Sequence, residues 1–301
     1  MDHSLTLLVD APSLIYRALF STPDTVTMPD GTPINAGHGF LRMLARLIGD
    51  HDPDYIACAA DENWRPSWRV DLIEGYKAQR AEPGSQQEES EKKLAPQVPV
   101  IYSLLARCGV NVIGHPDYEA EDVIGTLAAR APGRVGIFSG DRDLFQLVED
   151  PRCYILYPIR GVSKIDVIDE SYIESKYGIP GRSYADYAVL RGDPSDGLPG
   201  VRGIGDKLAA SLVAKYGGLD AIIADAEGDG QNVSITKVRR DLDYVKRARR
   251  VVAIPTDLPI QELDLTRPRD IPQEEVREEA KAFGLENSVR ALIAALKGSD
   301  V

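Results

Sequence analysis

RVGIFSGDRD, residues 134–143, is the stretch that decides the fold. Its first five residues are short and almost uniformly apolar, the pattern of a strand buried on both faces. Ser139 and Gly140 then lead into two acids, Asp141 and Asp143. Two earlier runs repeat the arrangement: LTLLV (5–9) runs straight into Asp10, and YIACAA (55–60) into Asp61. Amphipathic helical patterns lie around 37–50, 94–108 and 120–131, giving a βαβα order. That order predicts an α/β domain with a central, mainly parallel sheet flanked by helices. CYILYP followed by GVSKIDV (153–167) reads as a hairpin added at the sheet edge.

In open parallel sheets, sites form just beyond the carboxyl ends of the strands. One Asp after a strand is ordinarily a helix cap or a turn residue. Three such ends that each deliver Asp are harder to assign to capping alone. DYEAEDVIG (117–125) adds Glu119, Glu121 and Asp122 at a helix start. A helix N-terminus favours negative charge, but needs no such crowd. One rim is therefore expected to hold Asp10, Asp61, Glu119, Glu121, Asp122, Asp141 and Asp143. Carboxylates this close stay ionised only around a cation. All-oxygen ligands select Mg²⁺ or Mn²⁺. The four histidines (His3, His38, His51, His115) make no metal-ligand spacing and read as surface or helix-end residues. Two such ions about 4 Å apart are the usual device for in-line phosphodiester cleavage.

Composition agrees with a globular protein of one large domain or two: 301 residues, 43% hydrophobic and 27% charged. Cys58, Cys108 and Cys153 lie in apolar segments at unrelated spacings, which reads as reduced core thiols in a cytoplasmic protein. The N-terminal MDHSLTLLVD, with its acidic second residue, reads as neither signal peptide nor membrane span, and no later run is long enough to cross a bilayer. The formal charge of −12 argues against nucleic-acid binding taken alone. It is unevenly spread: TKVRRDLDYVKRARR (236–250) carries seven Lys or Arg against two Asp, and RPSWRVDLIEGYKAQR (65–80) is also basic.

AQRAEPGSQQEESEKKLAPQVP (78–99) is polar, with no core-forming periodicity until Leu94, and reads as a surface excursion. Beyond about residue 180 helical patterns dominate, near 181–191, 205–216, 236–252, 272–284 and 286–297. The expected division is an α/β core over 1–180 and a helical subdomain over 181–301. In GDPSDGLPGVRGIGDKLAASLVAKYGG (192–218), Gly200, Gly203 and Gly205 cluster before a helix whose Leu208, Leu212 and Val213 share a face. Two helices joined by such a turn (about 185–216) expose backbone N–H groups to phosphate oxygens. With Lys207 at the helix start, the turn would hold duplex backbone without reading sequence.

These motifs resemble the bacterial 5′-nucleases, the 5′→3′ exonuclease domain of DNA polymerase I and its free-standing flap-endonuclease relatives. The likeness runs from about residue 5 to 255. LLVDAPSLIYRA resembles the family's first strand, implying Asp10 as a metal ligand and Tyr16–Arg17 as its usual pair, with Arg17 toward DNA. AADENWRPSWRVDLIEGYKAQR resembles the second acidic strand and the base of an arch. It implies Asp61 as ligand, Arg69 as helper, and Tyr76, Lys77 and Arg80 at the scissile phosphate. YEAEDVIGTLA and SGDRDLFQLV supply Glu119, Glu121, Asp122, Asp141 and Asp143. GDPSDGLPGVRGIGDKLA resembles the last acidic pair, Asp193 and Asp196, and the helix–turn–helix with its K⁺ ion. The resemblance implies a PIN-like core with an arch at about 76–99, acting on DNA flaps, 5′ ends, nicks or RNA–DNA hybrids in replication and repair. It also implies a monomeric, cytoplasmic, nucleoid-associated enzyme. Glu121 stands where the bacterial enzymes usually have Asp, and Gly197 where they usually have Asn.

Two other readings compete. A DNA-junction binding protein without catalysis would favour Asn or Ser among the acids, and every expected position carries a carboxylate. An Asp-dependent α/β phosphatase wants a second Asp two residues after the first strand's Asp, where this chain has Pro12.

Overall fold

The computed structural model describes residues 3–228 and 232–298, so the acidic second residue lies outside it. The strands are β1 (Leu5–Asp10), β2 (Tyr55–Ala59), β3 (Asn111–Ile113), β4 (Arg134–Phe138), β5 (Cys153–Arg160) and β6 (Lys164–Ile168). They form one sheet in the order β3-β2-β1-β4-β5-β6. Pairing is parallel throughout except β5–β6, the expected edge hairpin. From β1 the chain winds outward through β2 and β3, then returns to β4 on the other side. The topological switch point thus falls between β1 and β4, where open sheets place their sites.

Fourteen α-helices are described: α1 (Ala11–Ser21), α2 (Asn35–His51), α3 (Ser67–Leu72), α4 (Gln86–Leu94), α5 (Val98–Arg107), α6 (Ala120–Arg130), α7 (Glu170–Tyr177), α8 (Tyr184–Arg191), α9 (Asp206–Tyr216), α10 (Leu219–Glu227), α11 (Val233–Arg240), α12 (Leu242–Val252), α13 (Gln273–Ala282) and α14 (Glu286–Lys297). Alternation along β1 sorts them into two layers. Leu7 and Val9 pack with Leu14 of α1, Phe40 and Leu44 of α2, Ile101 of α5, Val276 of α13 and Leu292 of α14. Leu8 faces the other way, into the cluster of Val123 and Ile124 of α6, Leu190 of α8, Leu212 of α9 and Val245 of α12. Each central strand is therefore buried on both faces, as its uniform apolarity requires. The three cysteines are free and buried. No helix among the described residues is long and apolar enough to cross a membrane.

Three expectations are corrected. The segment 78–99 is no mere surface excursion: α4 runs through it, with Ser90, Leu94 and Gln97 buried. Its inward face is largely polar yet satisfied. The Gln97 side chain accepts from Ala36 N (2.8 Å) and donates to Lys93 O (2.9 Å), and Ser90 Oγ donates to Gln86 O (2.8 Å). Hydrophobic periodicity cannot register such a face. The single helix expected over 236–252 is two, α11 and α12, broken at Asp241. Finally α13 and α14, expected among the C-terminal helices of 181–301, join the core of α1, α2 and α5 instead.

Candidate active site

Asp10 ends β1 and caps α1. One of its oxygens accepts from Ser13 N (3.0 Å) and the other from Ser139 Oγ (2.5 Å). Ser139 Oγ also accepts from Asp141 N (2.9 Å), while Gly140 N donates to Ser13 Oγ (3.0 Å). The two switch-point strands are thereby stitched together at their carboxyl ends. Asp61, beyond β2, accepts from Ala120 N at the start of α6 (2.6 Å). Asp10, Asp61, Glu119, Glu121 and Asp141 then line one open cleft of about 620 Å³, with Tyr16, Arg17, Lys77 and Arg80 on its other walls.

The remaining acids lie deeper or to one side. Asp122 is fully buried, and its oxygens take Arg69 Nη2 (2.7 Å) and Glu119 N (3.0 Å), closing the first turn of α6. Asp143 is buried behind Asp141, to which its N–H donates (2.8 Å). Asp196 is buried and pairs with Arg80 Nη2 (2.8 Å). Asp193 accepts from Ser195 N (2.8 Å) and Ser195 Oγ (2.6 Å).

Few cations balance this set. Arg69, expected as a catalytic helper, is 1% exposed. Its guanidinium is paired with Glu119 and Asp122 and donates through Nε to Val251 O (3.1 Å). Tyr76 is likewise buried, with its hydroxyl on Glu119 (2.5 Å). Lys77 pairs with Glu119 through Nζ while reaching the cleft wall. Burial opposes its charge, but the carboxylates of Glu121 and Glu119 outweigh that and hold its pKa up. Lys77 also has a left-handed backbone (φ 48°), fixed by its N–H donating to Asp196 O (2.9 Å). The adjoining Gly197 (φ 72°) lies so close to the Gly75 carbonyl that an added Cβ would strike it.

The carboxyls record the imbalance. Burial pushes Asp10 up to about 7, against its hydrogen bonds from Ser139 and Ser13. Burial likewise pushes Asp61 up to about 6. Glu119 and Asp141 are raised by burial and then by the charge of Glu121. Asp143 is raised further, by burial and then by Asp141, Asp196 and Glu121. Among the described residues no three of these acids converge tightly enough to preform an ion cage. The donor set is nevertheless all oxygen, anionic and under-neutralised, which fits a divalent, oxygen-preferring cation.

The C-terminal turn is differently disposed. Gly200 (φ 69°) has no room for a side chain beside Arg191 O, and its N–H donates to Tyr244 Oη (2.9 Å) rather than facing outward. Gly203 O receives Lys237 Nζ (2.9 Å). Gly205 and Lys207 are exposed at the start of α9, with nothing within 4 Å of a Cβ added at Gly205. The basic stretch 236–250 is largely engaged within the chain: Arg240 with Asp241, Lys246 with Glu227, Arg249 with Asp220, and Arg247 with Leu72 O. Sequence reasoning misses Ser13, Ser139 and Gln87, the last of which lines the acid cleft from α4. Of the three, only Ser139 carries a signal in the chain, its place directly after a strand.

Known proteins resemble the chain along nearly its whole length. Residues 5–178 match the model for the 5′-3′ exonuclease N-terminal resolvase-like domain, and 179–274 that for the 5′-3′ exonuclease C-terminal SAM fold. A 5′-3′ exonuclease of Streptomyces coelicolor is 44% identical over 96% of this chain and 99% of its own length. DNA polymerase I of Mycobacterium bovis is 35% identical over 84% of this chain and 27% of its own length. The bacteriophage T5 flap endonuclease, solved as a pseudo-enzyme-product complex with DNA and metal ions, shares the fold at a TM-score of 0.68 and 14% identity, over 97% of this chain and 99% of that one.

Proposed function

The chain belongs to the 5′-3′ exonuclease family, and from that premise we propose that it is a structure-specific 5′-nuclease that trims flaps and 5′ ends of DNA during replication and repair. The observation that carries this reading is the under-neutralised acid cleft at the switch point, walled by Lys77 and Arg80. Asp10, Asp61, Glu119, Glu121 and Asp141 would hold two divalent ions, Mg²⁺ or Mn²⁺, with Asp143, Asp193 and Asp196 supporting the side nearest Asp141. Such ions supply Lewis-acid activation of a water and neutralise charge on the phosphodiester.

The chain's own groups do the rest. Lys77, held against Glu119, offsets charge that grows on the phosphate in the transition state. Arg69 and Tyr76 keep Glu119 and Asp122 in place from beneath. A second cavity, of about 380 Å³, runs between Tyr16 and Phe20 on one side and Gln79, Arg80 and Gln87 on the other. It shares the walls Tyr16, Phe20, Arg80 and Gln87 with the acid cleft, and a single-stranded 5′ end would pass this way to the ions. At the turn, Gly205 and Lys207 offer sequence-independent contacts to duplex backbone. The same turn would hold a K⁺ ion.

A 5′-labelled flap substrate with Mg²⁺, Mn²⁺ or EDTA tests the proposal, with product length read at nucleotide resolution. Cleavage near the flap base that needs the metal is expected, and suppression when a bulky protein blocks the 5′ end before mixing but not after. Tight junction binding with no metal-dependent product would instead favour the non-catalytic reading.

A further inference from the structure

Tyr76 and Lys77 are consecutive, yet both side chains end on one carboxylate: Tyr76 Oη donates to Glu119 Oε2 (2.5 Å) and Lys77 Nζ to Glu119 Oε1. Neighbouring side chains diverge on a helix and point to opposite faces on a strand, so neither regular backbone allows this. The chain achieves it with a left-handed residue at Lys77 itself (φ 48°, ψ 24°). A non-glycine residue keeps that conformation only where its surroundings impose it. Among the described residues other than glycine, Asp52 alone shares a positive φ, at the end of α2.

Two distant segments hold the turn around Lys77. Arg65 donates through Nε to Tyr76 O (2.7 Å) and through Nη2 to Glu74 O (3.2 Å). The loop after α8 supplies the acceptors on the far side of Lys77. Asp196 O takes Lys77 N–H (2.9 Å), and Ser195 O takes Gln79 Nε2 (2.6 Å) and Arg80 Nη2 (3.1 Å). That loop is closed on itself by Asp193 N–H to Leu198 O (2.9 Å) and Leu198 N–H to Asp193 O (2.8 Å). It seats this closely because Gly197 (φ 72°) faces Gly75: a Cβ at Gly197 would strike the Gly75 carbonyl and stand 3.4 Å from Lys77 N. A Cβ at Gly75 would in turn lie 3.4 Å from Gly197 O. Two glycines thus let two backbones touch, and the contact delivers the acceptor that Lys77 N–H uses.

We propose that Gly197 and Gln79 are positioning residues for the lysine of the acid cleft. The 193–198 loop, seated through the Gly197–Gly75 contact and the Gln79 hydrogen bond, holds the left-handed backbone that aims Lys77 Nζ at Glu119 and the cleft. A side chain at Gly197 lifts the loop, releases Lys77 N–H toward an ordinary backbone and swings Nζ away from Glu119. Gln79 also lines the cavity beside α4, so the experiment must separate its hold on the loop from a contact with DNA. This deepens the proposed function and rests on it, because only a cleaving enzyme reads the aim of Lys77 as a rate.

The test is a double-mutant cycle in the full chain, with Gly197→Ala and Gln79→Ala made alone and in a Lys77→Ala background. Single-turnover cleavage of a 5′ flap with Mg²⁺ and binding of the same flap in EDTA are both measured. Alone, Gly197→Ala is expected to slow cleavage roughly tenfold and Gln79→Ala a few-fold, with affinity within about twofold of wild type, as a misaimed transition-state contact requires. In the Lys77→Ala background both losses disappear, since no lysine is left to aim. Losses that persist in full on top of Lys77→Ala, losses that fall on affinity, or wild-type turnover in both variants overturn the assignment. Gln79 is exposed, so its variant keeps the fold and decides the matter if Gly197→Ala does not fold. If the wild-type chain cuts no flap with Mg²⁺, the proposed function fails and this inference with it; cutting with additive losses removes the positioning role alone.

Discussion

The sheet-end cleft and the glycine-rich turn both gather polar groups at the start of a helix, yet they treat them in opposite ways. At the sheet end, Asp10, Asp61 and Asp141 have a few hydrogen bonds from Ser13, Ala120, Ser139 and Asp143, while the nearby cations Lys77, Arg69 and Arg80 are paired with Glu119, Asp122 and Asp196. Their pKa values rise accordingly. At the turn, Gly200 N–H meets Tyr244, Gly203 O meets Lys237, and Arg202 N–H meets Asp241 (2.9 Å). The first region is left short of positive charge, and the second satisfies most of its own groups. A fold that tolerates uncompensated buried carboxylates does so where a ligand supplies the compensation.

That contrast is broken most sharply at Asp141. Asp141→Asn should reduce flap cleavage roughly 10³-fold, by loss of several kcal/mol of charge stabilisation, while DNA binding persists or tightens. Turnover near wild type with Mg²⁺ would remove Asp141 from the ion set. Lys77→Ala should lower single-turnover cleavage roughly 10²-fold with little change in affinity, since its contact matters most in the transition state. A loss confined to affinity would make Lys77 a docking residue.

Smaller effects follow from folding. Burial lifts Asp10 to about 7 and Asp61 to about 6 from the ordinary value of 3.8. Such groups favour the folded state only while protonated, so their contribution is full below about pH 4 and is lost as pH rises through those values. In EDTA the Tm of wild type, measured against Asp10→Asn, should therefore fall between about pH 4 and about pH 7 and level off above, and Mg²⁺ should restore it. A flat difference would mean that the acids are compensated already. At the turn, Gly200→Ala should lower Tm because a side chain there meets Arg191 O. Gly205→Ala should leave Tm unchanged and weaken duplex binding by a few-fold at most. The reverse order would exchange their structural and binding roles.

Much of the rim is legible in the sequence because it depends on short-range pattern. An apolar run that ends in Asp is visible in the chain, and parallel sheets put such ends on one edge. What escapes depends on contacts between distant segments. The burial of Arg69 follows from Val251, 182 residues away, and from the 119–122 turn. The burial of Gln97, between α4 and α5, rests on its reaching Ala36, a polar contact without periodicity. The placement of α14 on α2 follows from core packing at Val289, Leu292 and Ile293, whose pattern reads as a helix face without naming its partner. At the turn, glycine spacing signals an exposed loop correctly for Gly205 but cannot separate it from Gly200, whose N–H is occupied.

The most direct measurement is calorimetry of Mn²⁺ or Mg²⁺ added to metal-free protein, in buffers of different ionisation enthalpy, at about pH 7 and about pH 9. Carboxyls raised as Asp10 and Asp61 are must shed protons when a cation arrives. Ion binding at pH 7 should release protons to the buffer, and the release should be smaller at pH 9, where Asp10 and Asp61 are already ionised. Binding at pH 7 without proton release, or no binding at all, would contradict an acid cleft held in reserve for divalent ions.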